Sequence, residues 1–274
     1  MISKKLPVIA AAALLAMASC TTHVNFPKID QGGRTAIVAH RGYWNCDSAG
    51  FAENSIASLA CAQKEGFWGS EFDVHITTDD VLLVFHNDSI DGKRLDCNPY
   101  SEFAEHRLAN GEKIPTLDEY LSQGEKCPST MLVCELKPQI DTLREDALLE
   151  HSVAALKAHG LFSPDRVLFI SFSRHICERI AKEYPGFVNQ YLDEYLGVED
   201  LYSLGINGFD FEFHQVYDDS TAVSRAHALG MSTNAWTVNK PEDMLRLAAL
   251  GIDAITTNEP LLLRSVLAEK EYRK

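Results

Sequence analysis

Thr35-Ala36-Ile37-Val38-Ala39-His40, a helical stretch from Ser55 to Glu65 stopped by Gly66, and then Gly69-Ser70-Glu71-Phe72-Asp73-Val74-His75-Ile76 form one strand–helix–strand unit. The two β-rich runs read as parallel neighbours, because an antiparallel pair would need only a short turn between them. The unit repeats along the chain. Further β-rich runs lie at Met131 to Lys137, Val167 to Phe172, Phe187 to Leu192, Gly208 to Phe213, Met231 to Val238 and Asp253 to Thr257, which makes eight. Between them, Leu143 to Ala158, Arg174 to Glu183, Thr221 to Ala228 and Glu242 to Leu250 carry the 3.6-residue apolar period of amphipathic helices. Stop signals stand at Gly66, Gly160, Gly205, Gly230 and Gly251, and Pro241 opens a helix where its missing N–H does no harm.

Eight such units in series predict an α/β fold, a single (β/α)₈ TIM barrel; an open doubly wound sheet is the structural alternative, and the count favours closure. One excursion interrupts the series after the second strand. From Val81 through Glu112 the sequence reads as a strand pair and a loop-rich insertion dense in turn residues, ahead of a helix at Thr116 to Ser122. Loops that follow barrel strands lie on the C-terminal face, where active sites are built, so the insertion is expected to act as a substrate lid.

The chain has 274 residues, 46% apolar and 23% charged, enough for one barrel domain with a substantial core. Its net charge of −14 makes nucleic acid an unsuitable partner. Residues 1–20 differ in kind: Lys4 and Lys5, an Ala-rich apolar run from Leu6 to Met17, then Ala18-Ser19-Cys20. This is the pattern of a secretory signal, too short in its apolar part to span a bilayer permanently. The small residues before Cys20 resemble a bacterial lipobox, so Cys20 is the expected lipidation site. Residues 21–33 read as a tether, and residues 34–274 as the barrel, exported and anchored to a membrane. Six cysteines remain; Cys134 reads as a buried thiol, and Cys97 with Cys127 as the bridge to expect in an oxidising compartment.

Polar residues that a strand interior would not normally accept gather at strand ends. The first strand ends in His40-Arg41-Gly42, the second carries Glu71 and Asp73, His86 ends the extension after it, and the third closes with Glu135-Leu136-Lys137-Pro138. Side chains two apart on a strand share a face, so Glu71 lies with Asp73 and Glu135 with Lys137. Three carboxylates meeting at a barrel mouth would repel one another, a conflict that one divalent cation resolves. All-oxygen ligation suits Ca²⁺ or Mg²⁺ better than zinc. Arg41 and Lys137 beside that cation suit the nonbridging oxygens of a phosphodiester, and His40 with His86 can serve as general acid and base.

His40-Arg41-Gly42, Glu53-Asn54-Ser55, Glu71-Phe72-Asp73-Val74, His86, Ile114-Pro115-Thr116-Leu117 and Glu135-Leu136-Lys137-Pro138 together resemble the glycerophosphodiester phosphodiesterase family. So do Asn234-Ala235-Trp236-Thr237-Val238-Asn239 and the closing run from Gly251 to Pro260. The resemblance implies metal ligands at Glu71, Asp73 and Glu135 and an acid/base pair at His40 and His86. It implies phosphate contacts from Arg41 and Lys137, and Trp236 packed on a glycerol moiety; Glu53 is a candidate substrate-site residue with a structural role as the alternative. It further implies hydrolysis of a glycerophosphodiester to glycerol phosphate and an alcohol. Asn87 stands where the family usually has Asp, and Asp91-Gly92-Lys93-Arg94 replaces a usual Arg-Thr-Thr run.

Other readings stand beside these. Asn54 reads as a structural residue that fixes the first βα loop through backbone hydrogen bonds and caps the first helix. His106, His151, His159, His175 and His227 have no charged strand-end context, while His75 shares a face with Asp73 and His214 follows Glu212 on the active face. Alternative functions are a barrel phospholipase of the phosphatidylinositol-specific or sphingomyelinase D type, and a non-catalytic surface lipoprotein that binds anionic ligands.

Overall fold

A computed structural model describes residues 26–29 and 31–272; the predicted signal, Cys20 and the first part of the predicted tether lie outside the described residues. In chain order the elements are β1 (Ala36–Ala39), α1 (Ile56–Glu65), β2 (Gly69–Ile76), β3 (Leu82–Val84), β4 (Ser89–Ile90), β5 (Lys93–Arg94) and α2 (Leu117–Gly124). There follow β6 (Met131–Leu136), α3 (Thr142–Ala158), β7 (Val167–Ser171), α4 (Arg174–Glu183), β8 (Asn189–Tyr191), α5 (Val198–Ser203) and β9 (Gly208–Glu212). The chain continues with α6 (Phe213–Asp218), α7 (Ala222–Ala228), β10 (Ser232–Trp236), α8 (Pro241–Leu250), β11 (Ala254–Thr257) and α9 (Pro260–Tyr272).

Eight parallel strands, β1-β2-β6-β7-β8-β9-β10-β11, form a ring that β1 closes by pairing with both β2 and β11. Each expected strand is present. Such strands are covered on both faces, which is why β2 is buried at all eight positions. Inside the ring, Val38, Val133, Leu168, Ile170, Val188 and Leu192 fill the barrel, and Ile29 joins them from the segment before β1. Outside it, apolar helix faces pack against the strands, as Leu148, Leu149, Val153 and Leu156 of α3 do.

β2 is long because it serves two partners besides β6, with which it pairs from Gly69 to Val74. Its first residues pair with β1, and its last three turn to β3, antiparallel, with Val74 opposite Val84. The insertion continues through β4 and β5 and has its own small core of Leu83, Ile90, Leu95, Phe103 and Ile114. It is tied down at the C-terminal end of the barrel: Thr78 N–H donates to Asn98 O at 3.0 Å, and Ile140 N–H to Asp96 at 2.6 Å.

Three local expectations change. Phe213 leaves the sixth barrel strand for α6, because Glu212 caps that helix by accepting from His214 N–H at 2.9 Å. Ser55 rather than Asn54 caps α1, accepting from Ser58 N–H at 2.9 Å. Cys97 and Cys127 are both free thiols. Cys97 sits in the insertion above the strand ends, whereas Cys127 lies in the turn that feeds the start of β6, so the two are at opposite ends of the barrel.

Candidate active site

Where β1 ends, the backbone turns sharply. Arg41 and Gly42 both take left-handed conformations, at φ 56° and 79°, and a Cβ on Gly42 would lie 2.2 Å from Ser58 Oγ of α1. This turn aims Arg41 N–H at Glu71 Oε2, 2.7 Å away, and Gly42 N–H at Glu71 O, 3.0 Å away. The Arg41 guanidinium pairs with Glu53 at 2.6 Å and stands 3.9 Å from Asp73.

The acidic residues converge because of strand register. Asp73 of β2 lies opposite Glu135 of β6, and Glu71 precedes Asp73 by one full pleat on the same face. One ligand oxygen from each of Glu71, Asp73 and Glu135 falls within 4.8 Å of the others, and all three side chains are buried. Asn54 grips Asp73 twice, its amide donating to Oδ2 at 2.8 Å and its carbonyl oxygen accepting Asp73 N–H at 3.2 Å. Lys137 Nζ reaches Glu135 at 2.7 Å and Asp73 at 3.1 Å.

Electrostatically the cluster is frustrated. Burial pushes the Glu71 carboxyl well above its ordinary range, and the charges of Asp73 and Glu135 add to the rise. Burial likewise pushes Glu135 up to about 7 despite the pull of Lys137. For Asp73, burial opposes ionisation, but Lys137, His86 and the Asn54 hydrogen bond outweigh it and hold the group below its ordinary range. Glu71 Oε1 is buried without any donor. Three inward oxygen ligands, one of them unpartnered, fit a hard divalent cation.

Both candidate acid/base histidines are oriented by an amide oxygen. His40 Nδ1 bonds Asn258 Oδ1 at 2.7 Å and His86 Nδ1 bonds Asn87 Oδ1 at 2.9 Å, which leaves each Nε2 for the pocket. The pocket itself is about 450 Å³, and His40, Arg41, Glu71, His86, Glu135 and Lys137 all line it. Burial, with Arg41 adding to it, lowers His40 to about 4; burial also lowers His86, against the pull of Asp73. β3 carries His86 to this place by running back along β2, with Phe85 N–H donating to Asp73 O at 3.0 Å. His75 is buried behind it, its Nε2 3.4 Å from His86 O.

Trp236 forms the far wall, edge-on to Phe172 at 5.5 Å, with its indole N–H donating to Asp210 O at 2.9 Å. His214 is exposed and pairs with Glu212. His159, His175 and His227 pair with acids away from this pocket. Two residues of the site were not expected there. Asn54, read as a helix cap, clamps Asp73, and Asp210 lines the pocket from β9. The signal for Asp210 was an acid at an alternate position within the apolar run Gly208 to Phe213.

Comparison with known proteins agrees with this geometry. The profile of the glycerophosphoryl diester phosphodiesterase family matches residues 40–262. A glycerophosphodiester phosphodiesterase of Caldanaerobacter subterraneus is 28% identical over 246 residues, 83% of this chain and 95% of the relative. The crystal structure of a glycerophosphodiester phosphodiesterase from Parabacteroides distasonis is 36% identical, with a TM-score of 0.83 over 87% of this chain and 98% of that one. A phosphodiesterase of Oleispira antarctica, solved in complex with the product sn-glycerol-3-phosphate, is 26% identical, with a TM-score of 0.71 over 86% of this chain and 97% of that one. The barrel, the strand-end acids and these matches agree over nearly the whole described chain, which belongs to the glycerophosphoryl diester phosphodiesterase family.

Proposed function

We propose that this enzyme, which hydrolyses glycerophosphodiesters to glycerol phosphate and an alcohol, does so with Glu71, Asp73 and Glu135 around one Ca²⁺ or Mg²⁺ and with His40 and His86 as its acid/base pair. The convergence of three buried carboxylates within 4.8 Å carries the reading. When bound, the cation supplies positive charge to the phosphate oxygens. Arg41, held by Glu53, presents a fork of donors to two nonbridging oxygens, and Lys137 adds a point charge from the β6 side. One imidazole takes a proton from the attacking hydroxyl and the other gives one to the departing alcohol oxygen, each steadied through Nδ1. Trp236 covers the apolar face of the glycerol carbons.

The substrates we infer are water-soluble diesters such as glycerophosphocholine and glycerophosphoethanolamine. The leader-like residues 1–20 and Cys20 support export with a lipid anchor. A substrate panel with chelator, and then with each cation restored, tests the catalytic reading. Turnover of soluble glycerophosphodiesters that chelator abolishes and Ca²⁺ or Mg²⁺ restores is the expected result. Cleavage of intact phospholipid vesicles in preference to soluble diesters would overturn the substrate assignment. Mass spectrometry of the membrane-extracted protein tests Cys20; an unmodified Cys20 removes the anchor.

A further inference from the structure

Asp210 is a buried carboxyl that nothing described so far employs. It is 1% exposed, and neither side-chain oxygen receives a hydrogen bond of normal geometry. Asn234, its register partner on β10, gives one amide hydrogen to Thr256 Oγ1 at 2.9 Å and keeps the other near Asp210, short of a well-formed bond. A buried polar group left this way is costly, and proteins that gain nothing from one replace it with an apolar residue. Ile170, Phe172, Leu192 and Trp236 give the pocket an apolar wall, to which Thr237 and Thr256 add two hydroxyl-bearing residues. Counting round the ring, β9 lies directly across the barrel from β2, which carries Glu71 and Asp73.

A glycerophosphodiester bound with its phosphate among Arg41, Lys137 and the acids therefore extends its glycerol towards β9. The hydroxyl farthest from phosphorus is the one on the terminal carbon. Buried against Trp236 and Phe172 it would have no partner unless the wall supplied one. We infer that Asp210 accepts a hydrogen bond from this terminal glycerol hydroxyl and so selects glycerol over diols that lack it. Burial keeps the carboxyl well above its ordinary range, with Glu135 adding to the rise and Asn234 offsetting part of it, which suits a neutral hydroxyl better than a cationic head group.

This inference rests on the glycerol reading of the pocket, and its test separates the two. Wild type, D210L and D210N are assayed for kcat/KM on a glycerophosphodiester and on its analogue with 1,2-propanediol in place of glycerol, which lacks only the terminal hydroxyl. Wild type is expected to prefer the glycerol substrate by about tenfold or more, a preference that D210L abolishes and D210N largely keeps, since an amide still accepts. D210L is also expected to melt above wild type, because it removes two unpaired buried oxygens while nearly keeping the shape. Equal turnover of the two substrates by wild type overturns the inference, as does a preference that D210L retains. A D210L effect that instead follows the charge of the head group, choline against a neutral alcohol, overturns it as well. Failure of wild type to cleave the glycerol substrate at all would count against the substrate reading itself.

Discussion

Asn54 and Asp73 are locked by two hydrogen bonds of 2.8 and 3.2 Å, one to the carboxylate and one to the backbone of the same residue. Asn54 can do this because it sits in a left-handed conformation, at φ 54°, with its own N–H held by Arg41 O. Ligands to a cation need such partners to fix their aim. Asn54→Ala is expected to weaken cation affinity by about 10- to 100-fold while leaving the barrel folded. Isothermal titration with Ca²⁺ and Mg²⁺ measures this directly, and unchanged affinity would show the clamp to be structural only.

Glu135 supplies a signed pH test. In metal-free protein its carboxyl titrates near 7 against an ordinary 4.5, so across that interval the folded state keeps a proton that the unfolded chain has lost. The associated stability is complete below the unfolded value and disappears as pH rises through the folded one. Metal-free wild type should therefore lose ground to Glu135→Gln between pH 5 and pH 8, by up to about 1.4 kcal/mol for each unit of displacement. Urea unfolding of both proteins in chelator at the two pH values gives the comparison, and a gap that does not widen at pH 8 contradicts it.

The imidazoles should carry their own rate and pH signatures. His40→Ala and His86→Ala are each expected to lower kcat by about 10²- to 10⁴-fold with folding intact. Burial lowers His40 to about 4 and lowers His86 too, so the imidazole that acts as base is ready to accept near pH 7, while the one that acts as acid must first take up a proton, which the anionic phosphate beside it favours. Protonation of the base removes activity as pH falls, so the acid limb of kcat/KM should lie below the ordinary histidine range. A limb at or above pH 6.5 would mean that another group acts as base.

Gly42→Ala tests the turn that delivers Arg41. The new methyl would lie 2.7 Å from Ser58 Cβ and 2.8 Å from its backbone carbonyl carbon as well as 2.2 Å from its Oγ, so rotating the serine does not relieve it. A loss of at least about 2 kcal/mol in stability is expected, with KM raised more than Tm alone explains. Thermal melts and steady-state kinetics on the same preparation distinguish the two effects.

The barrel was legible because its strands carry β-rich runs and several helices stop at or next to a glycine, as at Gly66, Gly160, Gly205, Gly230 and Gly251. The acids and histidines were legible for a related reason: ionisable side chains at strand ends break the apolar pattern and are conspicuous. α5 and α6 were not, since six-residue helices complete too few turns to show a period. Asn54 was misread because Asn before Ser reads as a cap, and only the approach of β2 reveals its second partner. Cys97 and Cys127 both lie in loop-like sequence, which does not tell which end of the barrel each loop occupies.

The bond from His40 to Asn258 joins the start of the first barrel strand's loop to the residue after the last strand. The orientation of the His40 ring thus depends on the two ends of the barrel having met. A chain that stops before residue 258 has every other proposed catalytic and cation-binding group but lacks the amide that steadies this imidazole.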